Sequence, residues 1–303
     1  MTEKTTLVTF EPLARRNAEL LAGAFLAQYP AQTRQGYRIH LRHWFEWLDS
    51  IGVEPLSAER GHIDVWIRYL SEERGLKVQS VCSKINAVSG FYKYAYLDKS
   101  IGYNPALHVR RPRITFISTT TGLSRTQLAD MLHAAEAESA TTHALVCLLG
   151  LSGFRIGETL AIDIDDLGME RGFHTVHLAH RKGDRAMTVS LANVTSYALA
   201  ACKADRTTGP LLLGRDGERM SPGASRRTIA RLARKCGINA KITPHSLRHA
   251  WATIALDAGV SPRDLVDSAG WSDARMSRYY DRNRNAIERN ATHAVAAFIS
   301  GAG

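Results

Sequence analysis

Apolar residues recur every three or four positions through much of the first hundred residues. This period is that of an amphipathic helix, in which such positions share one face. Three stretches show it, Tyr37–Leu48, Ile63–Leu70 and Val78–Tyr92. We expect three helices there, whose apolar faces pack together into a core rich in tryptophan and tyrosine. Residues 1–19 show no such pattern and are predicted to form a flexible tail.

The second half of the chain combines helical signals with one stretch of strand signals. Residues 175–178 and 187–191 alternate apolar and polar side chains, and a Lys-Gly-Asp turn signal at 182–184 separates them. This pattern predicts a β-hairpin with Lys182 beside its tip. Helix starts flank it, such as the capping-box pattern that begins at Ser124.

A change in composition divides the chain. The segment 111–122 contains one proline, two arginines and a run of Ser and Thr, which is typical of a linker. We therefore predict a helical domain over 20–110 and a mixed domain over 123–303. The fold class is mainly α with a small β-sheet.

A helix with strong start and stop signals is predicted near the C-terminus. Thr243 suits an N-cap, Pro244 the first helical position, and Gly259 a left-handed C-cap. The apolar stripe of this helix comprises Leu247, Trp251, Ile254 and Ala258. His245 and Arg248, three residues apart, fall together on roughly the opposite face. They are either functional residues or solvated side chains of an ordinary surface helix.

Two further short helices are predicted after this one. Ser261-Pro262 begins the first, and Gly270 ends it. Ser272 can cap the second, which carries Tyr279 and Tyr280. The three helices thus deliver a histidine, an arginine, a tryptophan and a tyrosine in succession.

The charge balance favours an anionic partner. The chain of 303 residues has a formal net charge of +10, which makes nucleic acid the default hypothesis. Basic residues concentrate on the outer faces of predicted helices and in the linker. The candidate DNA-binding residues are Arg34, Arg38, Arg42, Arg110, Arg111, Arg226 and Arg227. The alternative is that these arginines form ordinary solvated faces.

Other site classes find little support in the sequence. The four cysteines are far apart, without metal-ligand spacing, and no carboxylate cluster is of the kind that holds magnesium. We therefore expect no metal and no cofactor. Apolar runs fall short of the roughly 18 residues of a membrane span, so we expect a cytoplasmic protein without a membrane partner.

Four segments, in this order, resemble the motifs of the tyrosine recombinases, the phage integrase family. Leu151–Leu160, with Arg155 and Glu158, is similar to the first-arginine box, and Arg181–Gly183 to the lysine turn. His245–His249 resembles the His-x-x-Arg box, and Ala269–Tyr280 the closing segment. In that family the nucleophilic tyrosine lies nine residues after a His-or-Trp position. Trp271 is that position here, so the resemblance selects Tyr280 rather than Tyr279.

The resemblance implies a C-shaped clamp of two domains on DNA, and a site-specific recombinase that forms a 3′-phosphotyrosine. The implied catalytic residues are Arg155, Lys182, His245, Arg248, Trp271 and Tyr280. Glu158 would orient a neighbouring residue, and His249 would be structural. Trp271 replaces the histidine of many members. This variant, and the absence of room for an arm-site domain before residue 20, resemble compact, Cre-like members more than larger phage integrases.

The partners that the resemblance implies are double-stranded DNA with an inverted-repeat core site and three further copies of the chain. The apolar spacing at about 285–299 suggests a segment that docks on a neighbouring subunit of this tetramer. Two alternatives stay open. One is a type IB topoisomerase-like enzyme that relaxes DNA as a monomer, and the other is a non-catalytic DNA-binding protein with a relic site.

Overall fold

The computed structural model describes residues 11–113, 122–179 and 186–271, together with residues 292 and 299. The chain divides into two compact units, Met1–Thr115 and Phe116–Gly303. The dividing point lies within the segment 111–122 in which a linker was predicted. Helices dominate the described residues, and their strands form one small sheet, so the predicted fold class is confirmed.

The first unit is helical, as its apolar pattern predicts. Its helices are α1 (Glu11–Ala27), α2 (Ala31–Ser50), α3 (Arg60–Arg68) and α4 (Val78–Leu97). A 3-10 turn at Pro55–Ser57 precedes α3, and a π-helical turn at Tyr69–Glu73 follows it. Trp44, Trp66 and Tyr92, from three different helices, are at most 1% exposed. Aromatic side chains therefore occupy the centre of this core.

Two sequence predictions for this unit differ from the structure. Helix α1 begins at Glu11, within the segment 1–19 that was predicted to be a tail. The reason is an apolar face that starts earlier than the pattern suggested, because Ala18 is fully buried with Ala22 and Phe25. Val78, assigned to an apolar face, is exposed because it is the first residue of α4.

The second unit contains seven helices and three strands among its described residues. Its first part comprises α5 (Arg125–Glu136), α6 (Ala140–Gly150), α7 (Ile156–Ala161), a 3-10 turn (Ile164–Asp166), β1 (Leu167–Glu170) and β2 (Phe173–Leu178). Its second part comprises β3 (Met187–Ser190), α8 (Asn193–Lys203), α9 (Pro222–Lys235), α10 (Pro244–Asp257) and α11 (Pro262–Ala269).

The predicted hairpin is confirmed, and a third strand joins it. Strands β2 and β3 pair antiparallel, with Val176 opposite Val189. Strand β1 pairs with β2 across a two-residue turn, Arg171-Gly172, in which both φ angles are positive (51° and 83°). Strand β1 was not predicted from the sequence, since such turns usually carry Asn-Gly or Asp-Gly and an arginine in the first position gives a weak signal.

Helix α6 is the central helix of the second unit. Every residue from Ala144 to Gly150 is buried, as expected for a helix that is apolar all round. It contacts α5, α7, α8, α9 and α10. The segments on either side of α6 are therefore held against one core, and the candidate site residues come from these segments.

Candidate active site

Arg155 stands at the N-terminus of the short helix α7. The carboxylate of Glu158 accepts hydrogen bonds from the Arg155 backbone N–H (2.8 Å) and guanidinium (2.7 Å). The Glu158 side chain is only 3% exposed, whereas that of Arg155 is 32% exposed. A buried carboxylate in the first turn of a helix is favourable, and it fixes the direction of the arginine. Glu158 thus orients Arg155 itself.

Arg248 lies in the interior of the second unit, only 4% exposed. Its guanidinium donates to the carbonyl of Gly153, between α6 and α7, and to that of Ala269 at the end of α11 (3.1 Å). From the sequence, Arg248 on a face opposite an apolar stripe was either functional or solvated. The solvated alternative is wrong, because α10 packs against α5, α6, α9 and α11 and is buried over most of its first two turns.

Two indoles lie close to the Arg248 guanidinium. Its Cζ atom lies 6.0 Å from the ring centroid of Trp251 and 5.8 Å from that of Trp271, within range of cation–π attraction. Trp271 also packs against a small cluster formed by Ala252, Leu256 and Leu265. The structure therefore brings together two of the residues proposed from sequence, Arg248 and Trp271.

The two histidines of α10 differ in their environment. His245 is at the surface, but partial desolvation, and after it the charge of Arg248, lowers its pKa below the ordinary value of 6.5. His249 is 4% exposed, and burial, followed by the nearby His245, lowers its pKa as well. Both imidazoles are therefore neutral at pH 7. A neutral His245 can accept a proton from a nucleophile.

Two predicted catalytic residues, Lys182 and Tyr280, lie outside the described residues, as does the third C-terminal helix predicted to carry Tyr280. The structure places the strands on either side of the Lys182 turn and the helix before the Tyr280 segment. Helix α11 ends at Gly270 in the left-handed conformation (φ 57°, ψ 47°), as its sequence predicts.

The candidate DNA-binding arginines lie on both units, and most are exposed. Arg38 and Arg42 are on α2, Arg110 and Arg111 lie after α4, and Arg226 and Arg227 are on α9. Arg34 differs, since it is half-buried and its guanidinium donates twice to the Tyr29 carbonyl (3.0 and 3.2 Å). A guanidinium engaged in this way has fewer donors left for a phosphate.

The described residues form no group of three or more His, Cys, Asp or Glu side chains arranged to hold a metal ion. Among the helices of the same residues, none combines the length and apolarity needed to cross a membrane.

Sequence reasoning missed the relation of Trp251 and Gly153 to Arg248. Trp251 was assigned to the apolar stripe of its helix. A signal was present, because residues three apart on a helix are neighbours and Trp251 follows Arg248 by three.

The arrangement is suited to stabilising an anion. Arg155 and Arg248 are planar cations that stay charged at any working pH, and a guanidinium is well suited to phosphate oxygens. A buried guanidinium held by fixed carbonyls needs little reorganisation when charge develops on a substrate. This chemistry is that required at a phosphodiester during nucleophilic displacement.

Comparisons with known proteins agree with this chemistry. The model of the family described as "Phage integrase family" matches residues 122–286. A tyrosine recombinase XerC from Pelotomaculum thermopropionicum is 26% identical over 257 residues, which cover 79% of this chain and 83% of that protein. A tyrosine recombinase XerD from Chlorobaculum tepidum is 25% identical over 266 residues, which cover 83% and 86%.

Solved structures show the same fold. The XerH site-specific recombinase in a post-cleavage complex with palindromic difH substrate aligns with a TM-score of 0.68 and 18% identity, covering 94% of this chain and 87% of that chain. A lambda integrase dimer bound to a COC′ core site aligns with a TM-score of 0.69 and 17% identity, covering 92% and 79%. The assignment to Cre-like members stays a prediction. Because the family model covers more than half of the 303 residues, the chain belongs to the phage integrase family, the tyrosine recombinases.

Proposed function

We propose that this tyrosine recombinase cleaves and rejoins DNA at a specific site through a 3′-phosphotyrosine on Tyr280. The observation that supports this most directly is the buried guanidinium of Arg248, held by two backbone carbonyls and close to two indoles. Burying a charge is costly unless its surroundings are prearranged for it. This arrangement supports a role for Arg248 at a developing charge rather than in DNA binding alone.

The proposed reaction begins with attack of the Tyr280 oxygen on phosphorus. A phenol has a pKa of about 10, so it needs a base, and His245 accepts its proton. Arg155 and Arg248 bind the non-bridging oxygens, where negative charge gathers. The bond from phosphorus to the 5′-oxygen breaks, and Lys182 donates a proton to that oxygen. A 5′-hydroxyl from another strand then reverses these steps and rejoins the DNA.

The remaining roles follow from position. Trp271, beside Arg248, either donates its indole N–H to the phosphate or closes the site by packing.

Loss of one donor to the developing charge lowers the rate of such reactions by about 10²–10³-fold. Arg155→Lys and Arg248→Lys each retain a charge but lose the planar pair of donors.

Covalent capture tests the proposal. Wild type, Tyr280→Phe and Tyr279→Phe are incubated with fragmented host DNA and denatured, and any DNA that stays attached to protein is sequenced. We expect wild type and Tyr279→Phe to carry DNA from one short inverted repeat and Tyr280→Phe to carry none. Tyr279→Phe is the matched control, since it removes the neighbouring hydroxyl alone.

Two results would contradict the proposal. If all three proteins bind DNA and none captures it, the chain is a DNA-binding protein without this chemistry. If capture occurs at many unrelated sequences and the protein only relaxes supercoiled DNA, it acts as a type IB topoisomerase-like enzyme.

The partner proposed is double-stranded DNA with an inverted-repeat core site, bound by a homotetramer on two such sites. The solved XerH complex contains a palindromic substrate, which supports the inverted repeat. The segment at about 285–299, outside the described residues except residues 292 and 299, is proposed to dock on a neighbouring subunit. A chain truncated after residue 284 should bind a single site but fail to pair two sites. Normal assembly and recombination by this truncated chain would exclude the docking role.

A further inference from the structure

We infer that Trp251 is a positioning residue that holds the two active-site arginines at a fixed separation, acting through Gly153 and Arg248. The inference rests on the proposed reaction, in which Arg155 and Arg248 bind one phosphate. Three observations support it: the conformation of Gly153, the contact of Trp251 with that glycine, and the hydrogen bond from Arg248 to the Gly153 carbonyl.

Gly153 makes the bend that joins α6 to α7. Its φ angle of +64° lies in the left-handed region, where a side chain is disfavoured. The indole of Trp251 also occupies the space of a side chain at this position. A β-carbon built on Gly153 would overlap the fused bond of the indole, at 2.7 Å from Cε2. Trp251 therefore lies directly against the backbone of the bend and prevents it from shifting towards α10.

The same indole flanks the residue that bonds to this bend. The Gly153 carbonyl accepts from the Arg248 guanidinium, whose Cζ lies 6.0 Å from the Trp251 ring centroid. Trp251 thus packs against both partners of one hydrogen bond. Removing the indole would free the acceptor and the donor at once.

This hydrogen bond sets the separation of the two arginines. Gly153 precedes Arg155 by two residues, so its carbonyl ties Arg248 to the chain that enters α7. The backbone N–H and the guanidinium of Arg155 are both held by the Glu158 carboxylate. Two guanidiniums can stabilise one phosphate together only if their separation matches its oxygens. Trp251 holds that separation without touching the substrate.

A double-mutant cycle tests this role. Trp251→Leu, Arg248→Lys and the double variant are compared for single-turnover formation of the covalent complex, using the captured duplex at saturating concentration. Arg248→Lys keeps a charge but removes the guanidinium that lies close to the indole of Trp251. We expect Trp251→Leu to lower the rate about 100-fold while changing the Kd for DNA less than about threefold. In the Arg248→Lys background, the same change should lower the rate at most about twofold, because its effect passes through Arg248.

Two matched variants separate positioning from general stability. Ile254→Ala removes a half-buried side chain from the same helix, on the side that packs on the main core. It should lower the melting temperature but leave the covalent rate at saturating DNA close to that of wild type. Trp251→Phe keeps a flat face against Gly153 and should restore most of the rate. Equal rate losses from Trp251→Leu in both backgrounds would overturn the inference, as would a loss no larger than that of Ile254→Ala.

Failure of the proposed function would be seen separately. If wild type captures no DNA, that function is wrong. The melting temperatures of wild type, the two single variants and the double variant are then compared instead. Trp251→Leu and Arg248→Lys should lower the melting temperature by less together than the sum of their separate effects. Additive shifts would show that the two side chains do not act together and would overturn the inference.

Discussion

Single residues of the candidate site gain their properties from what surrounds them. Arg248 is buried with its charge, and its solvation is replaced by the carbonyls of Gly153 and Ala269 and the faces of two indoles. Water is thereby excluded from one side of the guanidinium, which strengthens its attraction for an anion. The pKa of His245, three residues earlier, is lowered first by desolvation and then by the charge of Arg248.

The lowered pKa of His245 predicts how cleavage depends on pH. A base must be neutral, so the rate of covalent complex formation should fall as the pH drops through a pKa that lies below the ordinary value of 6.5. Single-turnover rates measured between pH 5 and 8 test for this decline at low pH.

His245→Gln is the matched variant for this measurement. It should be slower by about 10²–10⁴-fold and should show no decline between pH 6.5 and 5. His249→Gln, which changes a buried neighbour, should retain the decline. If the rate of His245→Gln still falls as the pH drops from 6.5 to 5, another group is the base.

At the scale of elements, short helices with strong caps present the site. Ser124, Ser221, Thr243 and Ser261 each accept a hydrogen bond from a backbone N–H in the first turn of the helix that follows. Helix α7 has only six residues and depends on its surroundings, since an isolated helix of this length is unstable. Arg219 donates to the Leu160 carbonyl (2.8 Å) and to Asp163 (2.6 Å), which holds the C-terminal end of α7.

The helical unit contains a polar contact within its aromatic core. The Tyr92 hydroxyl accepts from Trp44 Nε1 (2.9 Å) and donates to the Pro55 carbonyl (2.8 Å), and it joins α2, α4 and the turn before α3. Tyr92→Phe would leave a buried donor and a buried acceptor without this partner. We expect a loss of about 1–3 kcal/mol in the free energy of unfolding.

Chemical denaturation, followed by tryptophan fluorescence, measures this loss. Tyr96→Phe on the same helix is the control, because Tyr96 is 48% exposed and surface changes of this kind stay within about 0.5 kcal/mol. Equal stability of the two variants would show that the Tyr92 contact contributes nothing to the fold.

At the scale of the whole molecule, the net charge of +10 governs the approach to DNA. Contacts between arginines and phosphates release counterions, so the logarithm of the binding constant should fall linearly with the logarithm of salt concentration. The candidate arginines lie on both units, and each that contacts a phosphate contributes to this slope.

Titration at several salt concentrations tests individual arginines. Arg226→Gln and Arg227→Gln should each reduce the slope by about 0.9. Arg60→Gln is the control, since Arg60 is also exposed but pairs with Asp64 on the same helix (3.3 Å) and lies outside the proposed set. An unchanged slope in all three variants would remove α9 from the DNA interface.

Much of this protein is determined locally along the chain, and those features were predictable from sequence. Helix caps, helical periodicity and strand alternation depend on neighbouring residues alone, so α2 to α4, the hairpin, α10 and α11 were predicted near their observed positions, whereas α1 and β1 were not. The motifs that contain Arg155, His245 and Arg248 were recognisable for the same reason, because each is a short run with fixed spacing.

Only the tertiary structure decided how these segments meet. The hydrogen bond from Arg248 to Gly153 joins residues 95 positions apart, and helical periodicity assigned Arg248 to a polar face because it considers one helix at a time. The burial of that arginine, its contact with two indoles and the fit of Trp251 against a glycine depend on several elements packing on one core. A local pattern predicts the elements, whereas burial and contacts over such separations are set by the packed chain as a whole.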